Sequence, residues 1–86
     1  MGTRSRPKPK NLARKLKAIR LALGLSQNEL IDRLRPDERM VRSSISALER
    51  GVREPSYPLL LKYARLAGVS TDVLIDDELE LDAKVR

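Results

Sequence analysis

Leu25-Ser26-Gln27-Asn28-Glu29-Leu30 decides how this chain folds. Ser26 is a helix-capping residue, and Glu29 stands three positions on. From there its carboxylate reaches back to the Ser26 amide while the serine hydroxyl takes the Glu29 amide. Leu25 before the cap and Leu30 after it form a hydrophobic staple, which sets the angle at which the chain enters the helix. Leu30 and Leu34 then share one helical face, with Ile31 beside them. Arg35-Pro36 closes the helix, because a residue preceding proline avoids the α region.

Toward the N-terminus, Gly24 ends an earlier helix whose apolar stripe is Leu12, Leu16, Ile19 and Leu23, at i, i+4, i+7 and i+11, with Asn11 as its N-cap. Residues 1–10 carry no apolar run to bury, and Pro-Lys-Pro-Lys disfavours a helix, so this segment reads as a flexible basic arm. Toward the C-terminus, residues 36–42 form a polar connector around Met40-Val41. A third helix, about residues 42–50, buries Ile45 and Leu48 and stops at Gly51. Arg53-Glu54-Pro55 is a turn. Ser56 caps a fourth helix, with Pro58 in its first turn, that runs through Leu60, Leu61, Tyr63, Ala64 and Ala67 to Gly68. Ser70 or Thr71 opens a short fifth helix containing Val73, Leu74 and Ile75. No strand alternation and no internal repeat is present. The pattern predicts an all-α fold of five short helices over residues 11–76, followed by an acidic, mobile tail at 77–86.

Composition narrows the function. The 86 residues suffice for one small domain, and they include no Cys, His, Trp or Phe. Disulfides, His/Cys zinc sites and Ser/His or Cys/His nucleophile pairs are therefore excluded. No catalytic residue, metal site or cofactor is expected, and Asp32, Asp37 and Glu38 read as solvated charges at helix ends. No apolar run is long enough to span a membrane. Eighteen Lys and Arg face twelve Asp and Glu, a net charge of +6, and the distribution is uneven. Residues 1–20 carry eight bases and no acid, whereas residues 71–86 carry six acids and two bases. A basic front and an acidic back orient a molecule in the field of a polyanion. Tyr57 and Tyr63 are the only rings that stack on bases, and both fall at core-like positions, which disfavours RNA as the partner.

The motifs Arg20-Leu-Ala-Leu-Gly-Leu-Ser-Gln27, Ile45-Ser-Ala-Leu-Glu-Arg-Gly51, Arg53-Glu-Pro-Ser56 and Ala67-Gly-Val-Ser70 occur in order. This set resembles the lambda-repressor-like (Cro/XRE) helix-turn-helix family over about residues 12–76. The resemblance implies a sequence-specific regulator of transcription that binds double-stranded DNA, usually bacterial or phage, cytoplasmic and nucleoid-associated, usually dimeric, and here a repressor. It implies that helix three enters the major groove. Arg42, Ser43, Ser46 and Ala47 would then read bases: an arginine bonds guanine O6 and N7 together, and an alanine meets a thymine methyl. Gln27, Asn28, Ser44, Arg50, the Gly51 amide, Arg53 and Arg39 would hold phosphates, with Lys8, Lys10 and Arg14 added from the arm side. Arg20 and Glu49 would form a structural ion pair between helix one and the end of helix three.

One spacing departs from the family. Leu34 and Ile45 are eleven apart, against about seven in the family pattern, and the usual turn glycine is missing. Either helix three begins near Asp37 or Glu38, or the extra residues form a loop with Met40 plugging the core. Leu59, Leu66 and Val73 are surplus apolar residues, which suggests a homodimer interface and a DNA site that is an inverted repeat. No small-molecule ligand is expected. An alternative is an antitoxin-like module that binds a partner protein through the acidic segment from Asp72 to Asp82 and DNA only secondarily.

Overall fold

The serine at position 26 caps as its sequence context predicts. In a computed structural model that describes residues 9–81, Ser26 Oγ accepts the Glu29 amide at 3.0 Å and Glu29 Oε1 accepts the Ser26 amide at 2.8 Å. The helix so started, α2 (Gln27–Leu34), is one of five, with α1 (Leu12–Ala22), α3 (Arg42–Glu49), α4 (Tyr57–Ala67) and α5 (Thr71–Ile75). Among the described residues there is no strand. Met1–Lys8 of the expected arm, Lys8 included, and residues 82–86 of the expected tail lie outside the described residues.

Glycine punctuation explains where α1 and α3 stop. Gly24, at φ 70°, lets the Leu25 amide turn back to the Arg20 carbonyl at 3.1 Å. Gly51, at φ 76°, does the same for the Val52 amide and the Ala47 carbonyl at 3.0 Å. α2 ends without glycine. Arg35 takes the left-handed conformation itself, at φ 49°, as the residue before Pro36. The orphan Arg35 carbonyl is satisfied from α4, where Lys62 Nζ donates to it.

α1 differs at its start. Asn11 does not cap with its side chain. Asp77 instead ties down the residues that lead into the helix: its carboxylate accepts the Lys10 amide at 2.8 Å and the Asn11 amide at 3.0 Å. The segment after α5 is tied down further by Lys15, whose side chain is wholly buried. Its ammonium donates to the carbonyls of Val73 (2.6 Å), Asp76 (3.0 Å) and Leu79 (2.8 Å). Leu81 packs on the core beyond it. Residues 77–81, read from sequence as the beginning of a mobile tail, are thus held against the domain by a buried cation.

Leu16, Ile19, Leu30, Ile45, Tyr63 and Leu74 are fully buried and join the five helices. α1 lies against α3 and α5, and α2 against α3 and α4. Met40 is 8% exposed and belongs to this core, and α3 begins only at Arg42. Of the two readings of the long connector, the looped one with Met40 as the plug is the structure. Two other expectations are corrected. Leu59 is 3% exposed and is core, because α4 packs on two sides and buries a wide stripe of Leu59, Leu60, Tyr63, Ala64 and Ala67. It is not available to a dimer interface. Tyr57, expected at a core-like position, is 86% exposed at the first position of α4.

Candidate nucleic-acid interface

α1 and α2 support α3 from behind, and Ile45 and Leu48 anchor it there, 0% and 1% exposed. The opposite face is set by helical geometry. Ser43, Ser46, Ala47 and Arg50 follow one another at i, i+3, i+4 and i+7, a single line along the outward side. Arg42, the first residue of the helix, is exposed at its N-terminal edge. Serines and an alanine give this line a low profile, so the helix can approach a groove closely. Ser44 is half-buried beside it, and its hydroxyl accepts the Val41 amide at 3.2 Å, which pins the helix start.

Cations surround the line. Arg39, Arg42 and Arg50 are exposed, with no ion-pair partner among the described residues. Arg53 is different: its Nη2 sits 2.6 Å from Glu38 Oε2. The Gly51 amide is also occupied, donating to the Leu48 carbonyl at 3.2 Å. Gly51 therefore has no free donor, and a Cβ there would face Ala13 of α1 at 3.6 Å. Lys10 and Arg14 are exposed on the α1 side. Pro9 and Lys10 share a cleft of about 160 Å³ with Gly51, Arg53 and Pro55, so the root of the arm lies beside the loop that follows α3.

The N-terminus of α2 is joined to α3 by a buried network. Arg20 Nε and Nη2 grip the Glu49 carboxylate at 2.7 and 3.1 Å, with side chains 13% and 4% exposed. The hydrogen bonds to Glu49 raise the Arg20 pKa against the opposing effect of burial. A third guanidinium nitrogen donates to the Leu25 carbonyl at 3.0 Å, immediately before the Ser26 cap. Gln27 Nε2 points to the same carboxylate at 3.4 Å. The network fixes α1, the α2 cap and the end of α3 relative to one another. The backbone amides of Gln27 and Asn28, in the first turn of α2, have no intramolecular acceptor among the described residues, and a helix start in this state favours an anion.

Sequence reasoning missed two things here. Lys15 was one charge in a basic run, although it falls three residues after Leu12 on the apolar stripe, and that spacing is the signal of a buried cation. Glu38 was read as a solvated helix-end charge, but it lies in a loop and holds Arg53; with the connector open in two readings, no sequence signal assigned it a partner.

Among the described residues, no helix is long and apolar enough to cross a membrane. No curated protein and no solved structure matches the chain. A family model described as helix-turn-helix matches residues 16–74, from the middle of α1 to α5, and takes in the ordered motifs, the outward line of α3 and the open start of α2. The chain belongs to the Cro/C1-type (XRE) helix-turn-helix family of DNA-binding regulators.

Proposed function

We propose that this protein is a sequence-specific repressor that places α3 in the major groove of double-stranded DNA. The observation that carries the reading is the outward line of Ser43, Ser46, Ala47 and Arg50, with the cations Arg39 and Arg42, which have no ion-pair partner among the described residues. A low-profile helix face with a guanidinium at its leading edge suits a groove that presents guanine acceptors and thymine methyls. Arg42, Ser43, Ser46 and Ala47 take the base edges. Gln27 and Asn28 hold one phosphate through the start of α2, and Ser44, Arg39, Arg50 and Arg53 hold others. Lys10 and Arg14, with Lys8, add to the field from the arm side.

A homodimer on an inverted repeat completes the proposal. Leu66 and Val73 are half-buried, Ile75 is 43% exposed, and all three belong to α4 and α5, away from the α3 line. A second copy covering them presents two α3 helices to successive turns of one face of the duplex. Repression follows from occupancy of a promoter, in a bacterial or phage-infected cytoplasm.

In-vitro selection of the full chain against random duplex DNA tests this. The expected product is an inverted repeat whose half-sites are centred about one helical turn apart. Enrichment of a single half-site removes the dimer from the proposal, and no enrichment at low ionic strength overturns it altogether.

A further inference from the structure

The connector between α2 and α3 is about four residues longer than the family pattern, and it delivers a carboxylate to the loop that follows α3. Glu38 Oε2 lies 2.6 Å from Arg53 Nη2, and Ser56 Oγ donates to Glu38 Oε1 at 3.3 Å. Arg53 is rooted on the end of α3, because its backbone amide donates to the Ala47 carbonyl at 3.2 Å. Its main chain is therefore fixed at the end of α3, while its guanidinium is neutralised by an acid of the connector. Arg39, Arg42 and Arg50 have no such acid among the described residues. The pair is open to water, with side chains 43% and 38% exposed, so displacing one partner requires no unpacking. The connector does not depend on it for anchorage. Met40 is in the core, Lys62 donates to the Arg35 carbonyl, and Lys62 also lies 3.5 Å from Asp37.

A carboxylate and a phosphate present the same kind of oxygens to a guanidinium. We infer that Glu38 is an internal stand-in for a DNA phosphate: it occupies Arg53 in the free protein and yields it to the duplex backbone on binding. The longer connector thereby lowers affinity for DNA of any sequence. This rests on the DNA-binding reading above. In the complex Arg53 contacts a phosphate, and the cost of parting it from Glu38 is subtracted from the affinity.

The experiment uses the full chain and a duplex of random sequence, with affinity measured over a range of salt concentrations. Glu38→Gln keeps an acceptor for Ser56 and is expected to tighten binding about five-fold, the equivalent of about 1 kcal/mol for a well-formed exposed pair. Asp37→Asn removes a neighbouring charge that is 82% exposed and measures the general effect of losing an acid; it should tighten binding less. Arg53→Gln should lower the slope of log K against log salt by about 0.9, as expected for one lost phosphate contact, and should reduce the gain from Glu38→Gln to that of Asp37→Asn. A gain from E38Q no larger than from D37N overturns the inference. So does weaker binding by E38Q, which would make Glu38 a group that aims Arg53, and so does an unchanged slope in R53Q. A wild-type chain that binds no duplex at all overturns the DNA-binding reading together with this one, whereas normal wild-type binding with any of the other results overturns this one alone.

Discussion

Tyr63 is the residue whose side chain is least at ease in this fold. It is wholly buried, and its hydroxyl finds no hydrogen-bond partner among the described residues. Burial, with the nearby Glu49 carboxylate, pushes its pKa up, which favours the neutral phenol. An unsatisfied buried hydroxyl costs about 1–3 kcal/mol. Tyr63→Phe removes that cost and leaves the ring packing intact. It is expected to raise stability by about 1 kcal/mol in thermal or urea unfolding, with DNA affinity unchanged, and a lower melting temperature would show that the hydroxyl has a partner after all. The Arg20–Glu49 pair is the contrasting case, since each buried charge there is met by the other and by Leu25 or Gln27. Its residues were legible through the ordered motifs. The unsatisfied phenol was not, because an i, i+4 pattern reports that a side chain faces inward and says nothing of what its polar tip will meet.

Among the elements, α2 was the most legible and the connector to α3 the least. The capping box is a contact between residues three apart, so local sequence determines it, and it forms as read. That box titrates. The Ser26 backbone amide, followed by its hydroxyl, holds the Glu29 carboxyl below its ordinary value of 4.5. A group whose pKa is depressed in the folded state contributes stability above the unfolded-state pKa and loses it as pH falls through the folded-state value. Glu29→Gln retains an acceptor without the charge. Wild type is therefore expected to be the more stable at pH 6 and to converge on the variant as pH falls from 4.5 through the depressed folded-state value, measured as urea midpoints across pH. Equal midpoints at every pH would show the carboxylate to be idle. The connector was ambiguous for a different reason. Whether a helix begins near Asp37 or Glu38 or a loop sets Met40 into the core depends on the room that residues far along the chain leave in that core, and local spacing does not report it. The same distance effect moved Leu59 from a surface reading to the core, since sequence spacing does not tell how many neighbours a helix has.

For the whole molecule, the decisive contact joins the first helix to the last turn. Lys15 places its ammonium among three backbone carbonyls of residues 73, 76 and 79. Lys15→Met preserves an apolar stem but leaves those carbonyls without their donor. A stability loss of about 2 kcal/mol is expected, with hydrogen exchange accelerated at residues 73–81 and unchanged in α2 and α3. Uniform acceleration across all five helices would mean that the clasp carries the entire fold. The acidic run was legible as a charge asymmetry, but its attachment was not, because backbone carbonyls leave no trace in a sequence. The hold of Asp77 on Lys10 and Asn11 has a topological corollary as well. It brings the segment before α1 and the segment after α5 side by side, so a linker across these two flanks can close the chain and new termini can be opened at an exposed bend such as the one at Gly24. The order in which the helices are synthesised is then separable from the architecture they assemble, and a circular permutant keeps the outward face of α3 whole.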